Sequence, residues 1–162
     1  MTAASVTRQD VVDFVYQEAR LLDTRQFDTW NALFLDGGMY WIPATPNQPD
    51  PWSWTSHAYE DKLLRDLRIE RLNSPRTFNQ HPPSRCHHLL QTPVIEVFQP
   101  DEARYIARTE FLYTESQADH VTSLVGSCTH ELAHDGERLR IKLKKIELLN
   151  CDGALPSIQL FI

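Results

Sequence analysis

Residues 105–113 read YIARTEFLY and alternate between apolar and polar side chains. One parity carries Tyr105, Ala107, Thr109, Phe111 and Tyr113, and the other carries Arg104, Arg108 and Glu110. Because successive side chains of a strand point to opposite faces of a sheet, this period predicts a half-buried strand. A second alternating run starts with Val121, Ser123 and Val125, and Asp135-Gly136 is a hairpin signal. The second half of the chain is therefore predicted to form long antiparallel strands.

The end of the chain carries a change of parity. Leu139, Ile141 and Leu143 share one parity, whereas Ile146 and Leu148 have the other. A slip of one residue at Lys144-Lys145 would bring all five to one face, so a β-bulge is predicted there. Ile158, Leu160 and Ile162 are expected to close a final strand.

The first half has a helical period. Val11, Val15, Ala19 and Leu22 recur every three or four residues, which predicts an amphipathic helix from Arg8 to Leu22 with Thr7 as its cap. A shorter helix is expected from Phe27 to Phe34. Gly37-Gly38 should end it, before a short strand at Met39–Ile42 and a loop over residues 43–54.

A second amphipathic helix is predicted from Tyr59 to Leu72. Its inward residues are expected to be Leu63, Leu64, Leu67 and Leu72. The residues expected outward or at an interface are Lys62, Arg65, Arg68 and Arg71. Helices followed by strands indicate one α+β domain over residues 1–162, with helices covering one face of a bent sheet.

Composition excludes several classes of protein. With 22 acidic against 16 basic residues, the net charge of -6 argues against nucleic-acid binding. No apolar run reaches the roughly 20 residues that span a bilayer, and no signal peptide is recognisable, so a cytoplasmic location without membrane contact is expected. Cys86, Cys128 and Cys151 are widely spaced and are expected to be reduced and at least partly buried.

Residues 130–134 read HELAH, which matches a zinc-protease pattern. That pattern needs a helix, whereas this segment follows a strand-like run and leads into Asp135-Gly136. Histidines four apart on a strand lie about 13 Å apart and cannot share a metal. His130 and His134 are therefore expected to be surface residues of a strand, and a zinc hydrolase is the weakest hypothesis.

Two further metal patterns are incomplete. Cys128-Thr129-His130 matches half of a Rieske cluster pattern, but the second cysteine–histidine pair is missing. His87 and His88 are adjacent on a predicted strand, so they should point to opposite faces, and no carboxylate follows at useful spacing. No metal site is therefore expected from these patterns.

Residues 82–90 read PPSRCHHLL. Two prolines stiffen the approach to a strand, and Arg85 can bind a carboxylate or backbone carbonyls with both ends of its guanidinium. The segment is interpreted either as a stiff lead-in with a solvated arginine or as a subunit contact.

Three blocks of sequence, in this order along the chain, carry a family resemblance: residues 14–23, 59–72 and 82–90. Together with Tyr40-Trp41-Ile42-Pro43 and residues 143–148 and 160–162, the chain resembles the small (β) subunit of bacterial aromatic-ring-hydroxylating dioxygenases, the Rieske non-haem iron oxygenases. It departs from the family at two places. Family members are often richer in arginine where this chain has Lys142–Lys145, and they tend to have a Leu-Asp pair near the position of Leu149–Asp152. These departures leave the subfamily and the substrate open.

The resemblance implies a cone-like fold of the nuclear transport factor 2 type, with helices on the concave face of a strongly curved sheet. It also implies a non-catalytic assembly subunit with no metal, cofactor or catalytic residue of its own, three copies of which would join three large subunits. The large subunit would hold the Rieske [2Fe-2S] cluster and the mononuclear iron, fed by NAD(P)H-derived electrons. The candidate interface residues are Tyr59, Glu60, Asp61, Arg68, Arg71, Pro82, Pro83, Ser84, Arg85 and His88.

One other class of function remains open. The same cone fold also suits a stand-alone isomerase or dehydratase, since a fold does not determine a function. Such an enzyme would need converging acid–base groups in the cone, for which Tyr40, His88 and Glu110 are the candidates.

Overall fold

The structure of the protein is a computed structural model, and it is described for residues 5–162. Its helices are α1 (Arg8–Asp23), α2 (Phe27–Asn31) and α3 (Lys62–Asn73). Its strands are β1 (Phe34–Pro43), β2 (Ser56–Glu60), β3 (Arg85–Leu90), β4 (Val94–Gln99), β5 (Arg104–Gln117), β6 (His120–His134) and β7 (Leu139–Leu148). No helix within residues 5–162 has the length and apolar character needed to cross a membrane.

The strands form one curled, open sheet. Their order is β2-β1-β7-β6-β5-β3, and β4 pairs with the other half of the same edge of β5. Pairing is antiparallel throughout except between β1 and β7. Helix α1 packs on β3, β4 and β5, and α3 packs on β1 and β2, so the helices cover the concave face. This architecture confirms the predicted α+β fold.

Helix α1 follows its sequence pattern. The Thr7 hydroxyl accepts a hydrogen bond from the Asp10 backbone N–H, and the Asp10 carboxylate accepts one from the Thr7 N–H, which completes a capping box. Val11, Val15 and Leu22 are buried against the sheet. The prediction for this helix is confirmed.

Helix α3 differs from its prediction in extent and in orientation. It begins at Lys62 behind an Asp61 cap, and Tyr59 and Glu60 belong to strand β2, which was not predicted. Arg65 is fully buried, whereas the exposed fractions are 65% for Leu63 and 46% for both Leu64 and Leu67. The predicted inward leucines are wrong except for Leu72, and the outward position of Arg65 is also wrong.

The predicted bulge exists, but two residues earlier. Glu131 pairs with Leu143 and Leu132 pairs with Ile141, so Lys142 is the extra residue. The slip leaves Leu143 half-buried and brings Lys144 into the core. The hairpin at Asp135-Gly136 is confirmed, with Gly136 at φ 102°.

Two segments near the chain's aromatic core were predicted incorrectly. Helix α2 ends at Asn31, and β1 runs through Gly37-Gly38. A Cβ at position 38 would lie 2.6 Å from the Ile141 carbonyl oxygen on the neighbouring strand β7. Glycine therefore permits close strand pairing here. Leu160, Phe161 and Ile162 form no strand: all three are buried, and Phe161 packs on Trp30 with ring centroids 4.4 Å apart.

Candidate functional site

A buried network of charged groups lies in the cone interior, the space between α1 and the concave face of the sheet. Glu18 on α1 accepts hydrogen bonds from Trp30 Nε1 at 2.5 Å, Lys144 Nζ at 2.6 Å and His130 Nε2 at 3.3 Å. His130 and Lys144 face each other in register on β6 and β7. Burial alone would raise the pKa of Glu18, but Lys144 and His130 outweigh it and hold that pKa well below its ordinary value.

The network corrects the expected position of His130. Residues 130–134 do lie on a strand, as predicted, but His130 is buried against Glu18, and only His134 is partly exposed. His134 Nδ1 accepts a hydrogen bond from the Gly136 N–H. The surface prediction for His130 failed because its partner is 112 residues away in the sequence.

Asp23, the last residue of α1, braces the helix to strand β3. Its carboxylate accepts hydrogen bonds from the His88 N–H at 3.1 Å and from His88 Nδ1 at 2.6 Å, and His87 Nδ1 lies 3.4 Å away. The His88 side chain is buried and that of His87 is exposed, so the two do diverge. No carboxylate follows His87 and His88 at useful spacing in the sequence, but the fold brings Asp23 to both rings from a distant part of the chain.

The one metal-compatible cluster among residues 5–162 is Asp23, Cys86 and His88. Burial and the neighbouring Asp23 raise the pKa of the Cys86 thiol to about 12. A thiol must lose its proton to bind a metal, and the Asp23–His88 contact already has hydrogen-bond length. The cluster therefore fits a hydrogen-bonded brace better than a metal site.

A small cavity lies beside the buried network. Its volume is about 20 Å³, which accommodates about one water-sized molecule. Sites for organic ligands usually have about 300–1,000 Å³. Tyr40 is buried and accepts a hydrogen bond from the Ile162 N–H, His88 lines the cavity, and Glu110 is exposed beside Arg108. The three acid–base candidates do not converge, which does not favour the isomerase or dehydratase alternative.

Helix α3 buries Arg65 among neutral hydrogen-bond acceptors. Arg65 Nε donates to Asn31 Oδ1 at 2.8 Å, and Nη1 donates to the Gly38 and Glu60 carbonyls at 2.7 and 3.0 Å. Its guanidinium lies 3.9 Å from the Phe34 ring centroid. Burial lowers the pKa of Arg65 to about 10, which still leaves it charged at neutral pH.

The opposite side of α3 carries Leu63, Leu64 and Leu67, which we call the leucine face. Sequence reasoning missed it because leucines at helical spacing normally indicate the buried side. One signal in the sequence could have revealed it. Arginines recur along this helix with the same period as the leucines, so the periodicity alone does not decide which side of the helix is buried. Exposed leucines grouped on one helix are typical of a contact surface.

The predicted interface residues fall into three groups. Glu60, Ser84 and the His88 side chain are used within the fold: Glu60 forms an ion pair with Arg68, and the Ser84 carbonyl accepts a hydrogen bond from Arg25. Tyr59 and Arg68 are half-buried. The exposed residues, which can meet a partner directly, are Asp61, Arg71, Pro82, Pro83 and Arg85.

Two curated relatives cover nearly the whole chain. The small oxygenase component of the p-cumate 2,3-dioxygenase system of Pseudomonas putida is 28% identical, over 96% of this chain and 89% of its own length. The small subunit of 2-halobenzoate 1,2-dioxygenase of Burkholderia cepacia is 27% identical, over 93% of both chains.

Solved structures show the same fold. The beta subunit of the benzoate 1,2-dioxygenase of Burkholderia mallei superposes with a TM-score of 0.77 at 21% identity, over 97% of this chain and 99% of that one. An NTF2-like protein with a cystatin-like fold from Novosphingobium aromaticivorans superposes with a TM-score of 0.62 at 13% identity, over 88% and 82%. The cone-like, NTF2-like fold is thereby confirmed.

The family profile of the ring hydroxylating beta subunit matches residues 17–152. That range includes α2, α3 and all seven described strands. The chain therefore belongs to the family of β subunits of aromatic-ring-hydroxylating dioxygenases, which are parts of multicomponent oxidoreductases.

Proposed function

We propose that this chain, as one domain over residues 1–162, is a non-catalytic assembly subunit that supports the large subunit of an aromatic-ring dioxygenase. The observation that carries the proposal is the leucine face of α3. A helix that buries Arg65 and exposes three leucines has an apolar surface that nothing else in residues 5–162 covers. Covering it with another subunit would remove apolar area from water, the main driving force of association.

The proposal extends to composition. The large subunit would carry the Rieske [2Fe-2S] cluster and the mononuclear iron, and three large subunits would assemble with three copies of this chain in the cytoplasm. Closed three-fold symmetry is one of the usual arrangements of oligomers. The small cavity and the separation of Tyr40, His88 and Glu110 support a chain without catalysis of its own. Because two relatives are named for p-cumate and 2-halobenzoate dioxygenases, substituted benzoates are the first substrates to test.

Co-expression with the large oxygenase subunit encoded nearby tests the proposal. The double variant Leu63→Ser/Leu67→Ser should reduce recovery of the complex at least tenfold. The matched control is Leu149→Ser, since Leu149 is 80% exposed in the turn after β7. Equal recovery of both variants and the original chain would exclude the leucine face as the contact.

Arg85 at the start of β3 tests the second candidate surface. Truncating one partner of a buried charged contact costs about 2–5 kcal/mol of binding, so Arg85→Ala should weaken assembly and leave the isolated chain's melting temperature unchanged. Arg138→Ala, in the exposed β6–β7 hairpin, is the control. Oxygenase activity should fall with Arg85→Ala and recover at high subunit concentration. A loss that does not depend on concentration would place Arg85 in the fold.

A further inference from the structure

An open cleft lies between the second half of α3, the turn at Phe78–Gln80 and residues 157–159 near the end of the chain. Its volume is about 280 Å³, close to the lower end of the range of about 300–1,000 Å³ for sites that bind organic ligands. Among residues 5–162, none lines both this cleft and the small cavity beside Glu18. The cleft is therefore a separate feature, and its size suits a molecule with a single ring.

The charged side chains that line the cleft are positive. They are Arg68 and Arg71 of α3, and within residues 5–162 no aspartate or glutamate lines the cleft. Residues three apart on a helix are neighbours on its surface, so the two guanidinium groups act on the same space. The chain as a whole carries a net charge of -6, so this local excess of positive charge is unusual for it. The charge of the cleft favours an anion.

The two arginines differ in how they are held. Arg68 forms an ion pair with Glu60, and its guanidinium lies 4.8 Å from the Phe161 ring centroid, so it is fixed in place and partly neutralised. Arg71 is exposed, and its side chain forms no ion pair or hydrogen bond within the described chain. A free guanidinium can bind a carboxylate through two parallel N–H···O bonds. Arg71 is thus the group best able to contact an anion directly.

Gln159 supplies further donors, because a chain of hydrogen bonds sets the direction of its amide. The Ser84 backbone N–H can only donate, and it donates to Gln80 Oε1 at 3.4 Å. The Gln80 NH₂ group then donates to Gln159 Oε1 at 2.6 Å. Gln80 is only 4% exposed, which holds this arrangement in place. The Gln159 NH₂ group has no acceptor within residues 5–162 and is left for a ligand in the cleft.

Two apolar side chains also line the cleft. Leu72 is buried at the end of α3, and Ile158 is half-buried. Contact with them would remove apolar area of an organic ligand from water, whereas inorganic phosphate has no such area. Arginine guanidinium groups also stack on the faces of aromatic rings. The combination of groups favours a flat organic acid over a bare ion.

We propose that this cleft binds a small aromatic carboxylate. Arg71 and the Gln159 NH₂ group bind the carboxylate. Leu72 and Ile158 contact the ring, and Arg68 adds a second positive charge. The ligand is bound without a covalent step, and the buried network around Glu18 takes no part.

Benzoate is the probe, and its binding is measured on the full chain alone, so the result does not depend on assembly with a large subunit. In NMR spectra of the nitrogen-labelled chain at constant ionic strength, the signals of the Gln159 NH₂ group and the Ile158 N–H should shift and saturate. Benzamide has the same shape without the charge, and inorganic phosphate has the charge without the ring. Each should bind at least about tenfold more weakly than benzoate. Binding of either one as tight as that of benzoate would overturn the proposal.

Two variants test the contacts. Arg71→Met should weaken benzoate binding at least about tenfold, since it removes the charge-assisted hydrogen bonds. Gln159→Glu should weaken it as much, because it keeps the acceptor for Gln80 but replaces the donor by a negative charge. The matched control is Arg138→Met in the exposed β6–β7 hairpin, which should bind benzoate like the original chain. Equal binding by Arg71→Met and Arg138→Met, or shifts confined to signals away from the cleft, would contradict the proposal.

Discussion

Helices α1 and α3 cover the same sheet but treat their apolar residues in opposite ways. Helix α1 turns Val11, Val15 and Leu22 to the core, whereas α3 turns Leu63 and Leu67 to solvent. The apolar side of α1 is thus covered within this chain, whereas the leucine face of α3 is not covered within residues 5–162. The difference teaches that helical periodicity locates an apolar stripe without saying whether the same chain or a partner covers it.

The two helices also bury a charge in different ways. Glu18 on α1 is neutralised by Lys144 and hydrogen-bonded to His130, whereas Arg65 on α3 is surrounded by carbonyl and amide oxygens. Removing the first charge leaves an opposite charge in the core. Removing the second leaves only neutral acceptors. The helices should therefore respond differently to substitution and to pH.

The largest effect is expected at Glu18. Glu18→Gln leaves Lys144 charged and uncompensated in the core, which should lower the free energy of unfolding by about 3–5 kcal/mol. The matched control is Glu70→Gln on the exposed side of α3, which should change little. Urea unfolding measures both. Similar losses in the two variants would remove the proposed difference between the helices.

A leucine from each helix tests the comparison directly. Leu22→Ala on α1 should lower the free energy of unfolding by about 2–5 kcal/mol, because it leaves a cavity in a packed core. Leu67→Ala on α3 should change it by less than about 0.5 kcal/mol in the isolated chain. Thermal unfolding of the isolated proteins is the measurement. A large loss for Leu67→Ala would mean that this leucine already packs within the chain.

Arg65 should come next in size. Arg65→Met leaves Asn31 and the Gly38 and Glu60 carbonyls without their donor, at a cost of about 2–3 kcal/mol in unfolding free energy. Arg71→Met, an exposed position on the same helix, is the control and should be nearly neutral. Chemical unfolding of both variants decides whether α3 depends on this buried arginine. No difference between them would argue against the buried position.

A further expected effect is a pH dependence that involves α1. Burial lowers the pKa of His130, but the Cys128 sulfur and Glu18 outweigh it and raise that pKa from 6.5 to about 9. A raised pKa means that the charged form stabilises the fold, so this contribution is full below pH 6.5 and is lost as the pH rises through 9. The lowered pKa of Glu18 acts at the other end, where stability falls at acid pH below 4.5.

Urea midpoints at pH 6.5 and 9.5 measure that loss. The original chain should be less stable at pH 9.5, and His130→Gln should show a smaller difference between the two values. The Arg65→Met variant should keep most of the original difference, since Arg65 is not part of the network of Glu18, His130 and Lys144. An equal difference in His130→Gln would show that another group causes it.

Local patterns in the sequence alone determined much of this protein. The 3.6-residue period located α1, and the period of two located β5 and β6. Asp135-Gly136 located the hairpin that joins β6 to β7. A change of parity showed that a bulge must occur before Leu148, and ordered blocks along the chain indicated the family, which the profile match confirms. These features depend on neighbours within a few residues, so they can be read without a structure.

Only the tertiary structure decided the features that depend on distant partners. Lys144 is buried because the bulge lies at Lys142 and because Glu18, 126 residues away in the sequence, neutralises its charge. Arg65 is buried because Asn31 and Gly38 supply its acceptors, and the leucines of α3 are then left outside. A charge can be buried only where compensating groups converge, and that convergence arises from the fold rather than from any local pattern.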